Sequence, residues 1–451
     1  MDKKIYIWIF AFILIISVIH GLHSYTYGVG LMGDDSFHYA NSAMRIQGDE
    51  QPTLSQWYEG ILAYKGKLIG IEASSFFLLF FCGLLSVLLF ILILNSIEGE
   101  KTVRHYSLLF LLASPLFIYN ITVSQPFTVV SVLVLATVYF LVSEWQKPYL
   151  GFLSYMSIFF SALIALIEPL AFVIFILPFL FYLLIKKKNN RVVFLTATVS
   201  LVGFLFRIKT IEIGEGIVSL QGFFENNIVM LGAMKGFIFI SILLAILAFF
   251  VTWHKKREKI PIYAMVVMAI LGSVYADEGY KIILNFFIAY CAAYGFFWMM
   301  GMRWDLKIIK KILYLTLIAG VMFSGFFYVN SLFSKSPGEE TIRALHIIRG
   351  NSLETEVVFS DNEKKEWIMY FAERDFCCEF ANEEIFTTRN NNFASEFMKK
   401  HNISFILVDD NTRELMKREN NNIGLEFVME NSNNFKKIAS YDSTVVWAFQ
   451  E

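Results

Sequence analysis

Two adjacent aspartates, Asp34 and Asp35, follow the first apolar run of the chain, and His38 and Tyr39 come shortly after them. A carboxylate at the start of a helix is held by backbone N–H groups, and a second carboxylate beside it separates the proton affinities of the two. Such a group suits a general base that takes a proton from a hydroxyl. An imidazole and a phenol nearby can hydrogen-bond a sugar or a phosphate. These residue types therefore indicate acid–base chemistry on a hydroxyl-bearing molecule.

The same stretch also fits a purely structural role. DDSFHYANSAMRIQG reads as a helix with Asp35 or Asp34 as its N-cap and Gly48 at its C-terminal turn. One aspartate would then cap the helix and the other would be solvated. The helix is expected to lie in the membrane interface on the apolar residues that recur at helical spacing, which are Phe37, Ala40 and Met44.

Composition places this helix in a membrane protein. The 451-residue chain is 56% hydrophobic and 17% charged, whereas soluble domains are about 25% charged. Repeated apolar runs of span length predict a polytopic α-helical protein with about eleven transmembrane helices. The runs lie near 5–23, 74–96, 105–121, 126–143, 149–167, 169–185, 192–208, 235–253, 260–276, 282–301 and 312–331.

The distribution of basic residues predicts the orientation. With the N-terminus in the cytoplasm, the inner connections hold 17 Lys and Arg residues and the longer outer connections hold 7, which follows the positive-inside rule. We therefore expect an integral plasma-membrane protein with a cytoplasmic N-terminus. Several acidic residues then fall on the outer side, among them Asp34, Asp35, Glu168, Asp277 and Glu278.

The chain divides into two parts in this interpretation. Residues 1–333 form the transmembrane part, with a first outer loop at 24–73, and residues 334–451 form an extracytoplasmic α/β domain. Helical and strand patterns alternate in the latter, from GEETIRALHIIRG through EVVFS, KKEWIMYFAER, ASEFMKKHN and ISFILVDD to the hairpin-like FKKIASYDSTVVWAF. Its length of about 115 residues is enough to bury a core of its own.

The polar part lacks both glycine-rich nucleotide-binding patterns, and nothing in the chain indicates binding to nucleic acid. Nucleotide sugars are made in the cytoplasm, so an enzyme acting at the outer face would need an activated donor carried by a membrane lipid. A lipid phosphate is the obvious carrier.

Several segments, in order and sidedness, resemble the GT-C membrane glycosyltransferases, which include the protein O-mannosyltransferase and lipid A aminoarabinose transferase families. GDDSFHYANSAMRIQG is similar to their first extracytoplasmic loop, and LLASPLFIYNITVSQPFTVVSVLVLATVYFL to their paired third and fourth spans. SALIALIEPLAFVIFILPFL is similar to their turn at the outer face, and YADEGYKIILNFFIAYCAAYGFFW to a late span entered through an aromatic and a basic residue.

The resemblance implies a transferase that moves a sugar from a polyprenyl-phosphate donor to a hydroxyl acceptor at the outer face. It implies an acidic residue of the first outer loop as the base, hence Asp34 or Asp35, and we favour Asp34 because Asp35 is better placed as a cap. Substrate contacts are expected from residues at the outer rim, namely His38, Tyr39, Glu168, Arg207, Asp277, Glu278, Tyr280 and Lys281.

Alternatives stay open for several of these residues. Lys281 is a candidate for the lipid phosphate, or an interfacial anchor whose charge reaches the headgroups, and Arg207 with Lys209 is a rival phosphate partner. Asp277 and Glu278 hold acceptor or metal, or form a polar turn. A divalent cation with oxygen ligands is possible, although no spacing requires one.

Two other functions compete with the transferase. A transporter or flippase usually has ionisable residues in mid-span and repeated halves with broken helices, whereas the charges here crowd the outer rim. A non-catalytic scaffold needs no carboxylates beside a bilayer.

Overall fold

A computed structural model describes residues 3–48, 52–53, 56–144, 151–185, 190–207, 228–229, 237–255, 279–302, 307–377, 383–418 and 422–450. Its first part is helical. The helices up to residue 334 are α1 (Lys3–Tyr27), α2 (Asp34–Gln47), α3 (Trp57–Ile69), α4 (Ile71–Ile97), α5 (Lys101–Leu112), α6 (Pro115–Thr122), α7 (Pro126–Glu144), α8 (Phe152–Ile167), α9 (Pro169–Ala171), α10 (Leu177–Ile185), α11 (Asn190–Arg207), α12 (Phe239–Lys255), α13 (Gly279–Gly301) and α14 (Lys307–Ser334). A π-helical turn, Phe172–Ile176, joins α9 to α10, and a short parallel pair, β1 (Ile228–Val229) with β2 (Phe237–Ile238), precedes α12.

Five helices in the described part of the chain are long and apolar enough to cross a membrane, within α1, α4, α7, α13 and α14. A sixth span results if the bent pair α5–α6 is counted as one, and four further apolar helices are shorter. The predicted run at 260–276 lies outside the described residues. The expectation of a multi-helix membrane protein is confirmed, while the count of about eleven spans stays a prediction.

The apolar run at 105–121 is bent rather than one straight helix. Helices α5 and α6 meet at an angle of 61°. Pro115 is the first residue of α6 and has no N–H to donate, and Ser114 before it takes an extended conformation with φ −74° and ψ 130°, as a residue that precedes proline prefers. The Ser114 hydroxyl donates to Asn285 Oδ1 of α13 at 3.0 Å. The break therefore places polar groups between membrane helices.

Helix α2 has the predicted extent but not the predicted cap. Gly33 is its N-cap, with φ 73°, and no side chain caps the helix. The positive φ favours glycine, since other residues are strained there. Asp34 and Asp35 both lie in the first turn, and Gly48 ends the helix as expected, its N–H reaching the Met44 and Arg45 carbonyls. The proposed capping role of either aspartate is wrong.

The C-terminal part contains a five-stranded sheet in the order β4 (Asp375–Phe376), β3 (Val357–Phe359), β5 (Ile403–Val408), β9 (Val445–Phe449) and β8 (Phe435–Ser440). Strand β3 is parallel to β4 and β5, and β8 and β9 form an antiparallel hairpin beside β5. The elements are α15 (Glu339–Asn351), β3 (Val357–Phe359), α16 (Lys365–Trp367), β4 (Asp375–Phe376), α17 (Glu383–Thr387), α18 (Asn391–Lys400), β5 (Ile403–Val408), α19 (Asp410–Met416), β6 (Lys417–Arg418), β7 (Asn422–Ile423), α20 (Gly424–Asn431), β8 (Phe435–Ser440) and β9 (Val445–Phe449). The predicted α/β pattern is confirmed, and the division at residue 334 stays a prediction.

One face of this sheet is covered in part by α2. Phe37 and Ala40 are buried in the same apolar cluster as Val358, Phe405 and Leu407 of the sheet. The apolar face of α2 therefore packs on the C-terminal part rather than lying in the membrane interface, which corrects the prediction. The physical reason is that burying this apolar face against the apolar face of the sheet removes both from water.

We predict that Phe37→Ala destabilises the protein strongly. Phe37 is fully buried, and its ring lies 5.3 Å from that of Tyr370 and 5.6 Å from that of Phe371. Loss of such a ring costs about 3–5 kcal/mol, so the thermal midpoint of the purified protein should fall clearly. Leu353→Ala is the control, because Leu353 is 70% exposed. Equal midpoints for the two variants would contradict the packing.

Candidate functional site

The two aspartates have different surroundings. Asp35 is half-buried, and the Tyr119 hydroxyl of α6 donates to its Oδ2 atom, whereas Asp34 is exposed. Adjacent residues on a helix point about 100° apart, which explains the difference. Tyr119 was not predicted, because it lies within the apolar run at 105–121.

Hydrogen bonds fix the first turn of α2 to the connection between α6 and α7. Ser36 Oγ accepts from the Ser124 N–H at 2.7 Å and donates to the Met32 carbonyl at 2.6 Å. The hydroxyls of Ser124 and Tyr58 lie 2.7 Å apart. All these groups are buried, and buried polar groups that are fully bonded hold one arrangement. The two carboxylates are thus held at a defined place relative to α6 and α7.

His38 faces the C-terminal part. Its Nδ1 atom lies 3.1 Å from Glu366 Oε1. The hydrogen bond to this carboxylate raises the pKa of His38, and the negative charges of Asp35 and Glu59 raise it further, whereas burial lowers it. Burial raises the pKa of Glu59. The imidazole therefore lies among carboxylates from three elements and favours its charged form.

Tyr39 packs beside the same group. Its ring is edge-on to those of His38 and Tyr58, at 5.3 Å in each case. The structure thus brings Asp34, Asp35, His38 and Tyr39 together along one helix, as predicted.

A second polar group lies where α8, α9 and α13 meet. The Tyr280 hydroxyl donates to Glu168 Oε1, and the Tyr280 ring packs edge-on against Phe127 at 4.9 Å. Lys281, the next residue, is only 4% exposed. Glu168 interrupts the helix before Pro169, as the sequence suggested. The structure therefore brings two of the predicted site residues, Glu168 and Tyr280, into contact.

The connection Val123–Gln125 joins α6, which contacts the aspartate pair, to α7, which contacts the polar group around Glu168 and Tyr280. Tyr119, the partner of Asp35, lies in α6 before it, and Phe127, the partner of Tyr280, lies in α7 after it. Near this connection, Asn120 is fully buried, and neither of its side-chain polar atoms has a partner among the described residues; the same holds for Gln125 Nε2. Buried amides are nearly always bonded, so these two are candidates to contact a substrate.

For three of the residues predicted to contact substrate, the structure gives no side-chain position. Asp277 and Glu278 lie outside the described residues. Arg207 ends α11, and its side chain lies outside the description as well. Within the described ranges, His, Cys, Asp and Glu form no group of three or more suited to a metal.

Comparisons with known proteins identify the fold. No family model matches the sequence, and no curated protein matches it. The structure is similar to the archaeal oligosaccharyltransferase AglB from Archaeoglobus fulgidus in complex with an inhibitory peptide and a dolichol-phosphate, with a TM-score of 0.59 and 12% identity over 90% of this chain and 70% of that one.

Two further structures share the architecture. ArnT from Cupriavidus metallidurans bound to undecaprenyl phosphate gives a TM-score of 0.58 at 11% identity, over 99% of this chain and 98% of that one. The arabinofuranosyltransferase AftD from Mycobacteria gives 0.59 at 10% identity, and this chain spans only 40% of its length. The protein thus has the GT-C glycosyltransferase fold, and the resemblance predicted from its motifs is confirmed for the fold.

We predict that Gly279→Ala disrupts the second polar group. A Cβ atom at position 279 would overlap the side chain of Phe127, so the ring that packs on Tyr280 would have to move. Overpacking of this kind costs about 1–3 kcal/mol or more, which should lower the thermal midpoint. Gly301→Ala at the other end of α13 is the matched control, because its Cβ would meet nothing within 4 Å. An unchanged midpoint for Gly279→Ala would contradict the close approach.

Proposed function

We propose that this protein is a glycosyltransferase that moves a sugar from a polyprenyl-phosphate donor to a hydroxyl acceptor at the outer face of the membrane. The observation that carries the proposal is the carboxylate pair in the first turn of α2, with Asp35 bonded to Tyr119, within a GT-C fold. The related structures AglB and ArnT were determined with dolichol-phosphate and undecaprenyl phosphate, which supports a lipid phosphate as the carrier here.

The reaction follows from the donor's chemistry. The acceptor oxygen attacks the anomeric carbon from the face opposite the phosphate, and the bond between that carbon and the phosphate oxygen breaks. The phosphate leaves with the electron pair, still attached to its lipid, and the acceptor's proton passes to an aspartate. The product is the inverted glycoside.

Asp34 is favoured as the base. The original reason, a capping role for Asp35, does not hold, since neither residue caps the helix. The reason that replaces it is accessibility, because Asp34 is exposed while Asp35 is half-buried with Tyr119 bonded to it. In this arrangement Asp35 and Tyr119 hold the turn, and Asp34 takes the proton.

The donor's phosphate is assigned to Lys281. Lys281 stands at the start of α13 next to Tyr280, which is bonded to Glu168, and an ammonium group is a common binding partner of phosphate. Arg207 is the alternative partner. His38 and Tyr39, beside the aspartates, are assigned to the acceptor, with Glu168, Tyr280, Asp277 and Glu278 as further contacts.

We also propose the orientation. The basic residues of the connections support a cytoplasmic N-terminus and an extracytoplasmic C-terminal part. The carboxylate pair then faces the side from which lipid-linked donors are used.

We predict that Asp34→Asn abolishes transfer while leaving folding intact. Removing the base should lower the rate by about 10²–10⁴-fold, measured as release of undecaprenyl phosphate from undecaprenyl-phosphoryl hexose or pentose. Asp35→Asn should lose activity as well, because it removes the negative charge beside Asp34 and leaves Tyr119 with a weaker, neutral acceptor. An envelope extract lacking the protein supplies the acceptor.

Asp442→Asn is the matched control for this test, since Asp442 is an exposed aspartate of the C-terminal part. Full activity in both Asp34→Asn and Asp35→Asn would overturn the catalytic assignment. Loss of activity in Asp442→Asn as well would point to a general folding defect instead.

A further inference from the structure

Glu366 of the C-terminal part contacts the helix that carries the aspartate pair. Its Oε1 atom accepts from His38 Nδ1 at 3.1 Å, its Oε2 atom accepts from Asn41 Nδ2 at 2.8 Å, and its carbonyl accepts from the same amide at 3.0 Å. These residues are 325 and 328 positions apart in the sequence. Both oxygens of one carboxylate are thus used on one face of α2.

Forming this contact costs free energy, because it buries polar atoms. The side chain of Glu366 is only 14% exposed, and the Oδ1 atom of Asn41 is buried without a partner among the described residues. An unsatisfied buried acceptor costs about 1–3 kcal/mol. Asn41 therefore keeps its two donor bonds to Glu366 at the expense of its own oxygen.

The turn that carries Glu366 is attached to the sheet by a buried ion-pair group around Lys364. Lys364, 2% exposed, lies 2.9 Å from Asp409 Oδ2 and 3.7 Å from Asp361 Oδ2. Asp361 follows β3, and Asp409 follows β5, so the lysine joins the ends of two neighbouring parallel strands. The turn that carries Glu366 is thereby attached to the sheet, and a residue on such a support can hold another in place.

We propose that Glu366 is a positioning residue for sugar transfer. Through it, the C-terminal part holds the imidazole of His38, and with it the first turn of α2, in the orientation that the reaction needs. This role rests on the proposed function and deepens it, because it gives the C-terminal part a direct task at the aspartate pair.

The same contact controls the charge of His38. The groups that face the imidazole are Glu366 from the C-terminal part, Asp35 from its own helix and Glu59 from α3, with Lys365 beside Glu366. Burial raises the pKa of Glu366, but the hydrogen bonds from His38 and Asn41, together with the positive charges of His38 and Lys365, lower that pKa overall. The pKa of His38 is raised above its usual 6.5. The pair therefore adds stability that is complete below pH 6.5 as long as Glu366 stays ionised, and that is lost as pH rises through the raised pKa of His38 or falls through the lowered pKa of Glu366.

The test compares kcat and KM of the full-length protein between about pH 5.5 and pH 8.5. Glu366→Gln can still accept from Asn41 but no longer balances an imidazolium. We expect its kcat to fall about tenfold or more, the KM for undecaprenyl-phosphoryl sugar to stay within about twofold, and the alkaline limb of the kcat profile to move to lower pH. Glu363→Gln is the matched control, because Glu363 is an exposed residue of the same turn; it should behave as the wild type.

The outcomes separate the two proposals. A wild type that turns over no lipid-linked sugar overturns the proposed function, and the positioning role falls with it. An active wild type with an unchanged kcat profile in Glu366→Gln overturns the positioning role alone. A lower thermal midpoint for Glu366→Gln with the wild-type profile also overturns it, because the residue would then contribute only to stability.

Discussion

The arrangement of the whole site depends on the packing of α2 between two layers. Its apolar face, centred on Phe37, completes a core with the C-terminal sheet, while Ser36 on another face is bonded to the connection between α6 and α7. A short helix with so little apolar surface cannot be stable alone in water. Because both layers hold it, the two aspartates in its first turn are fixed relative to the membrane helices and to the sheet at once.

The break at Ser114 and Pro115 provides the other half of this constraint. A straight span would have satisfied its own backbone and presented apolar side chains. The bend instead separates α6 as a short helix whose Tyr119 reaches Asp35, and the following connection presents Ser124 to α2. Irregular backbone at membrane depth is tolerated where protein surrounds it, and here it is buried by the neighbouring helices. The break in the span therefore allows Tyr119 and Ser124 to contact the first turn of α2.

The sequence predicts local features of this protein well and its long-range pairs poorly. Periodicity and turn residues predicted the extent of α2, the break at Glu168 and four strands of the C-terminal sheet, β3, β5, β8 and β9, because each depends on neighbouring residues; the two-residue strand β4 was missed. The pairs Asp35–Tyr119 and His38–Glu366 join positions 84 and 328 residues apart, and no local pattern encodes them. The cap was misjudged for a related reason: aspartate is a common N-cap, but the positive φ at Gly33 starts the helix one residue earlier. The apolar face of α2 was recognised, yet a membrane surface and a sheet face require the same pattern.

The most direct test of the account is native mass spectrometry of the gently purified full-length protein, before and after addition of undecaprenyl-phosphoryl hexose and pentose. The account predicts a bound lipid whose mass corresponds to a polyprenyl phosphate, alone or with a sugar-sized increment, because Lys281 and a GT-C fold are expected to hold such a donor. If only bulk phospholipid is bound, even after incubation with these donors, the central claim that the protein uses a lipid-linked sugar is contradicted.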